Sequence, residues 1–297
     1  MTRRGWSLFV ALGIIWGLPY LLIRVSVREV SPAFLVLVRT GGAALLLVPI
    51  AAARGQLAPA LRRWRPLLAY TVAELAIPWL LLFTAEKHIS SSLSGLLIGT
   101  VPLFAAALAF ATGSDRVDAR RLVGLLAGIA GVAAIVGFDL HGPQLVYVAA
   151  LFVTALGYAL GPWILAHHLA VVPPLGAVSV SFLFCALLYS PAVAFSLPAH
   201  LPSASVRWSL VGLTLVCTVG AFLILPALIA EVGAMRTTLV TYVNPAVAVL
   251  LGVAVLGERF SAVTAVGFLL IVGGCLLASR PAALGSGPTL PPALPES

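Results

Sequence analysis

Apolar stretches of about 20 residues follow one another through this chain, each long enough to cross a hydrocarbon layer roughly 30 Å thick. They cover residues 6–24, 32–53, 66–84, 91–111 and 119–138, then 144–166, 175–196, 208–229, 238–256 and 262–279. A soluble domain carries about a quarter charged residues, whereas this chain has 9% and is 61% hydrophobic. It cannot cover a water-facing surface, so a polytopic all-α membrane protein is expected. The net charge of +8 does not mark a nucleic-acid surface. Its arginines are scattered over the connections between apolar spans, where they orient helices.

The spans form two sets of five. Sliding the chain by 143 positions lays Pro102 on Pro245, Asp115 on Glu258, Arg116 on Arg259, Gly124 on Gly267 and Gly131 on Gly274, without a gap. With shifts of a residue or two the offset also pairs Gly13 and Gly17 with Gly157 and Gly161, Pro19 with Pro162, and Ala85-Glu86 with Ala230-Glu231. A copy with an odd number of spans must enter the membrane upside down relative to the first, which gives two inverted five-helix repeats over residues 5–140 and 144–280. That arrangement belongs to secondary transporters, whose solute site lies near the midplane between the halves. Lys and Arg favour a cytoplasmic N-terminus: Arg3, Arg4, Arg54, Arg62, Arg63, Arg65, Arg116, Arg120, Arg121, Arg236 and Arg280 then face inward, against Arg24, Arg28, Lys87, Arg207 and Arg259 outward. The C-terminus is cytoplasmic too, and the Pro/Gly-rich tail 281–297 is expected to be disordered.

Trp16-Gly17, Pro32 with Arg39 seven residues later, Ala85-Glu86 leading to Pro102, and the ending Pro245, Gly257-Glu258-Arg259, Gly267 and Gly273-Gly274 resemble the EamA family of the drug/metabolite transporter superfamily. The resemblance spans residues 5 to 280, with Ser114-Asp115-Arg116 standing in the first copy where Gly-Glu-Arg would be expected. It implies a ten-helix exporter of small metabolites, such as amino acids, in a bacterial inner membrane. A nucleotide-sugar or lipophilic-cation carrier of the same superfamily is the alternative. The resemblance also implies a cavity lined by helices 1, 3, 4, 6, 8 and 9, with helices 5 and 10 peripheral.

Glu74 is the sharpest candidate for mechanism. It lies mid-span, where a carboxylate is costly unless it faces the bundle interior, and its readings are a proton carrier or a neutral, packed acid. Arg39 is either an anion anchor or a structural group, tied to an ion-pair partner such as Glu74 or to neighbouring carbonyls; its helix is not expected to line the cavity, which favours structure. Gly17 and Pro19, and their counterparts Gly161 and Pro162, are expected as hinges or gates, since Pro removes a helical hydrogen bond. Trp16, Tyr20, Tyr158 and Trp163 flank these positions and are expected at the cavity, though aromatic residues also mark membrane interfaces. Tyr242 and Asn244 before Pro245, and Ser94 before Pro102, would bind a polar solute or repair backbone groups freed by Pro.

The Gly-x-x-x-Gly pairs at 13/17, 95/99, 124/128 and 157/161 read as close helix packing. Cys185, Cys217 and Cys275 fall inside spans without CxxC spacing and read as small packing residues. His88, His141, His167, His168 and His200 lie at span ends or in loops, without metal-ligand spacing on one helix. No nucleophile constellation or phosphate loop stands out. An enzyme, a metal or cofactor, and a nucleic-acid partner are therefore not expected. A channel would show polar residues repeating along one helix face. The expected partners are a small-molecule substrate and lipid, with a monomer sufficient.

Overall fold

A computed structural model describes residues 2–113, 119–139, 144–194, 197–198, 200–233 and 237–278. Asp115, Arg116, His141, Arg236, Arg280 and the tail 281–297 lie outside the described residues. The main helices are α1 (Arg3–Ser26), α2 (Pro32–Ala53), α3 (Trp64–Ala85), α4 (Ser91–Ala111), α5 (Ala119–Asp139), α6 (Leu145–His168), α7 (Pro174–Ala194), α8 (Ala204–Val232), α9 (Leu239–Leu256) and α10 (Ala262–Ala278). Among the described residues, eight helices are long and apolar enough to cross a membrane. In α5 and α10 the apolar stretches are shorter, Leu122–Ile135 and Ala262–Leu277.

The turns set these lengths. Ser31, Ser90 and Ser203 accept hydrogen bonds from Phe34 N, Leu93 N and Val206 N, which caps the starts of α2, α4 and α8. At the far end of α9, Gly257 adopts φ 65°, a left-handed conformation that stops the helix at no steric cost. Gly113 does the same after α4.

Packing pairs elements across the two halves. α2 runs along α7, α5 along α10, and α4 against α9, while α1 lies against α8 and α9 as α6 lies against α3 and α4. Glycines allow these approaches. A Cβ on Gly17 would stand 3.0 Å from Asn244 O, one on Gly99 3.1 Å from Pro245, and one on Gly274 3.0 Å from Gly128 Cα. Each glycine of the four pairs sits in such a contact or supplies a backbone atom to one. Cys185, Cys217 and Cys275 are free and buried.

The helices depart from α geometry at matching places in the two copies. Thr71–Ala76 in α3 and Gly212–Gly220 in α8 are π-helical. The Thr218 hydroxyl donates to Leu213 O five residues back, within the wider turn (2.8 Å). Ahead of Pro102 the α4 helix is interrupted at Gly99 and Thr100, and ahead of Pro245 the α9 segment Thr238–Tyr242 is a 3-10 helix. By contrast α1 and α6 run on through Pro19 and Pro162. The sites expected as gates are thus unbroken helix, and the interruptions lie in α3, α8, α4 and α9.

Polar links tie each face of the bundle. On the face away from the N-terminus, Glu258 accepts hydrogen bonds from Ser91 N and Oγ (2.8 and 3.0 Å) and from Ser92 N and Oγ (2.9 and 2.5 Å). Glu29 accepts from Ser203 N and Oγ (2.7 and 2.6 Å), and the His88 ring stacks on Tyr147 at 4.1 Å. On the N-terminal face the Thr2 hydroxyl donates to Glu231, and Gly176 N donates to Gln56 Oε1 (3.3 Å).

Candidate functional site

The polar groups of the interior gather where α1, α2, α3, α6 and α8 meet. Arg39 on α2 is buried, at 7% exposure. Its Nε donates to Thr218 Oγ1 (2.8 Å), and its guanidinium carbon lies 3.8 Å from the centroid of the Trp79 ring. The π stretch of α8 presents the threonine and α3 presents the aromatic face, so the arginine bridges two helices of opposite halves. A desolvated cation is tolerated when such partners compensate it. The expected ion pair is not found: among the described residues no carboxylate pairs with Arg39. Its two Nη groups make no protein hydrogen bond there, so a flat fork of donors stays open, and such a fork suits a carboxylate.

Tyr158 lies within electrostatic reach first of Glu74, then of Arg39 and last of Glu86, and Tyr20 within reach of Glu86 and Arg39. Glu86 terminates α3 and is 0% exposed. Neither of its carboxyl oxygens has a hydrogen-bond partner among the described residues. The Arg24 guanidinium nearby donates to the Glu86 backbone carbonyl instead. A sealed acid with no partner is a group held ready for a proton or a cation. In the sequence, Ala85-Glu86 marks the repeat and the family resemblance. Its pairing with Glu231 was the available signal, and what it could not convey is that Glu86 is covered while Glu231 meets the Thr2 hydroxyl at an exposed site.

Glu74 lies in the π stretch of α3 against Gly161 of α6, where an added Cβ would meet its Cδ at 2.7 Å. Its Oε2 is sealed and unpartnered among the described residues. Gly161 thus makes room for the acid, and Pro162 beside it is exposed on the bundle surface.

The other expected residues divide. Tyr20 is buried with its ring against Gly95, beside Ser94, whose Oγ is buried without a partner. Tyr158 packs on the central core and interacts with Trp79. Trp16 packs instead with Leu12, Ala221, Leu228 and Val240 where α1, α8 and α9 meet, in a cluster separate from the central core. Trp163 stacks on His167 at 4.6 Å near the end of α6, its indole nitrogen sealed without a partner among the described residues. The Asn244 amide faces carbonyls, so its nitrogen belongs there, donating to Val240 O (3.0 Å) and Gly13 O (3.3 Å). That is repair of interrupted backbone. Tyr242 packs against the central core. None of the eight residues expected at a cavity lines the two grooves on the bundle surface. Thr218 and Trp79 join the site, and neither was singled out in the sequence.

Long apolar helices, close glycine contacts and a charged junction sealed inside define a multi-pass membrane protein built around an internal polar site. Comparison with known proteins makes the class specific. The family model described as the EamA-like transporter family matches residues 3–137 and again residues 145–280. The chain belongs to the EamA-like transporter family. A relative in Escherichia coli (strain K12), described as the uncharacterized inner membrane transporter YedA, is 29% identical over 259 residues, covering 84% of this chain and 82% of the relative. Its counterpart in Escherichia coli O157:H7 matches to the same extent. A solved crystal structure shares the fold with a TM-score of 0.67 at 20% identity, over 94% of this chain and 97% of the other. Transport across a membrane is the activity these matches support.

Proposed function

We infer that the protein is a secondary transporter exporting small metabolites, amino acids among them, by alternating access across a bacterial inner membrane. The observation that carries this reading is the pair Arg39 and Glu86. Both are buried, each has open hydrogen-bonding capacity, and both lie within electrostatic reach of Tyr20 and Tyr158 without bonding one another. A solute bearing a carboxylate and an ammonium group matches that arrangement, with the carboxylate on the Arg39 fork and the ammonium on Glu86. Glu74, half a helix away, is the group that exchanges a proton during the cycle.

The architecture is two inverted repeats, residues 5–140 and 144–280, with ten membrane crossings. The reciprocal packing of α1 on α8 and α9 and of α6 on α3 and α4 supports it, since exchange of the halves maps one set onto the other. The matched π stretches point the same way. Both termini face the cytoplasm in this reading, by the arginine bias.

The test is counterflow in liposomes with labelled zwitterionic amino acids, nucleosides and cationic dyes. Amino acids should exchange, and Arg39→Met and Glu86→Gln should each slow exchange about tenfold, the loss of one good polar contact. Unchanged exchange in both variants, or exchange of dyes alone, overturns the assignment.

A further inference from the structure

Two apolar grooves open on the bundle surface on either side of α3. The larger, about 620 Å³, runs between α3 and α6, lined by Leu68, Val72 and Ala73 on one wall and by Gly157 and Leu160 on the other. The smaller, about 270 Å³, lies between α3 and α7 and shares Trp64 and Leu68 with the first. Along α3 the large groove extends from Trp64 to Pro78, a length of about 21 Å at the helical rise. Half of a bilayer core is about 15 Å thick. The groove therefore reaches from the membrane interface beyond the midplane.

The chemistry changes sharply at the Trp64 end. Arg65 is the charged residue on the lining, and its guanidinium carbon stands 5.4 Å from the centroid of the Trp64 ring. Arg62 and Arg63 precede it, and all three arginines are exposed. None has a carboxylate partner among the described residues. A tryptophan at the groove end, Arg65 on the lining with Arg62 and Arg63 next to it in the chain, and two oily channels along α3 match the outline of a two-chain anionic lipid.

We propose that the face of α3 is a binding site for an anionic phospholipid. One acyl chain lies in the α3/α6 groove, the other in the α3/α7 groove, and the phosphate sits on Arg62, Arg63 and Arg65. The site spans the junction between the halves, because α3 belongs to the first and α6 to the second. Its floor at Ala73 and Gly157 adjoins Glu74 and Gly161. An occupied groove wedges this junction, so lipid charge tunes the ease with which the halves move apart.

Native mass spectrometry of the delipidated protein, offered phosphatidylglycerol and phosphatidylcholine of equal chain length, tests the site. The wild type should retain phosphatidylglycerol roughly tenfold better, the scale expected for two or three arginines near an anionic headgroup. The combined variant R62Q/R63Q/R65Q should bind the two lipids equally. Ala69→Phe, which fills the groove from an exposed position, should lower occupancy by both. Raising salt to about 0.5 M should erase the preference in the wild type, which keeps the proposal testable if the triple variant does not fold. Equal retention by the wild type, a preference that survives the arginine changes or the salt, or full occupancy in Ala69→Phe would show annular lipid only and overturn the proposal.

Discussion

Four hydrogen bonds converge on Glu258, where the turn after α9 meets the first residues of α4. Burial pushes this carboxyl upward, but the bonds from Ser92 and Ser91 together outweigh it and hold it below the usual carboxylate range. A depressed folded-state value stabilises the protein above the unfolded carboxylate value of about 4.3. That stabilisation is lost as pH falls through the lower folded value. Glu258→Ala should therefore cost about 1–2 kcal/mol at pH 7, as for loss of a helix cap. Melting curves in detergent should converge with those of the wild type toward pH 3, and a gap independent of pH would refute the cap. At Arg39 the contact with Thr218 should be separable from the charge. Thr218→Val removes two hydrogen bonds, the one accepted from Arg39 and the one donated to Leu213 O, and should lower stability by about 1–3 kcal/mol, while Arg39→Lys retains the charge and loses the flat fork. If the fork binds solute, Arg39→Lys should impair exchange as strongly as Arg39→Met does.

At the scale of elements, the glycine contacts divide into tight and loose. A Cβ on Gly131 of α5 would lie 2.9 Å from Ile271 N of α10, whereas one on Gly273 would meet nothing within 4 Å. Gly131→Leu should lower the thermal midpoint by about 5 °C or more, the overpacking cost expected for a close helix pair. Gly273→Ala should leave it unchanged, and equal effects of the two would show that the seam is not tight. Eight of the expected spans were legible because the bilayer imposes one length and one polarity on any helix that crosses it. The interruptions were less so. Reading Pro as the breaker pointed to Pro19 and Pro162, yet both sit inside continuous helix. The π stretches TVAELA and GLTLVCTVG contain no proline. One extra residue in a turn is held there by packing and by side chains such as Thr218, and those partners come from other parts of the chain.

For the molecule as a whole, the proposed inverted arrangement predicts which loops share a face. With the native cysteines replaced, Arg28→Cys and His200→Cys should react with an impermeant maleimide on intact cells, and Arg54→Cys should react only after lysis. The reverse pattern would invert the orientation; labelling of all three outside would refute the topology. The doubled organisation was readable from Pro102 to Gly131 against Pro245 to Gly274, because glycines and prolines mark backbone geometry that side-chain drift leaves intact. The internal polar site was readable only in part. Glu74 announced itself by depth alone, but the coverage of Glu86 depends on how distant helices close over the end of α3.

The seam between α5 and α10 carries a mechanical corollary. Gly131 and Gly267 bring two main chains together, as do Gly274 and Gly128, with the side chains of Ile135 and Leu270 keyed in beside them. Such a joint resists sliding along its length while yielding to small rotations about it, in the manner of a book's spine. Whatever displacement opens the pages at Arg39 should leave α5 and α10 almost where they are, with the largest excursions at the opposite edge, along α2 and α7.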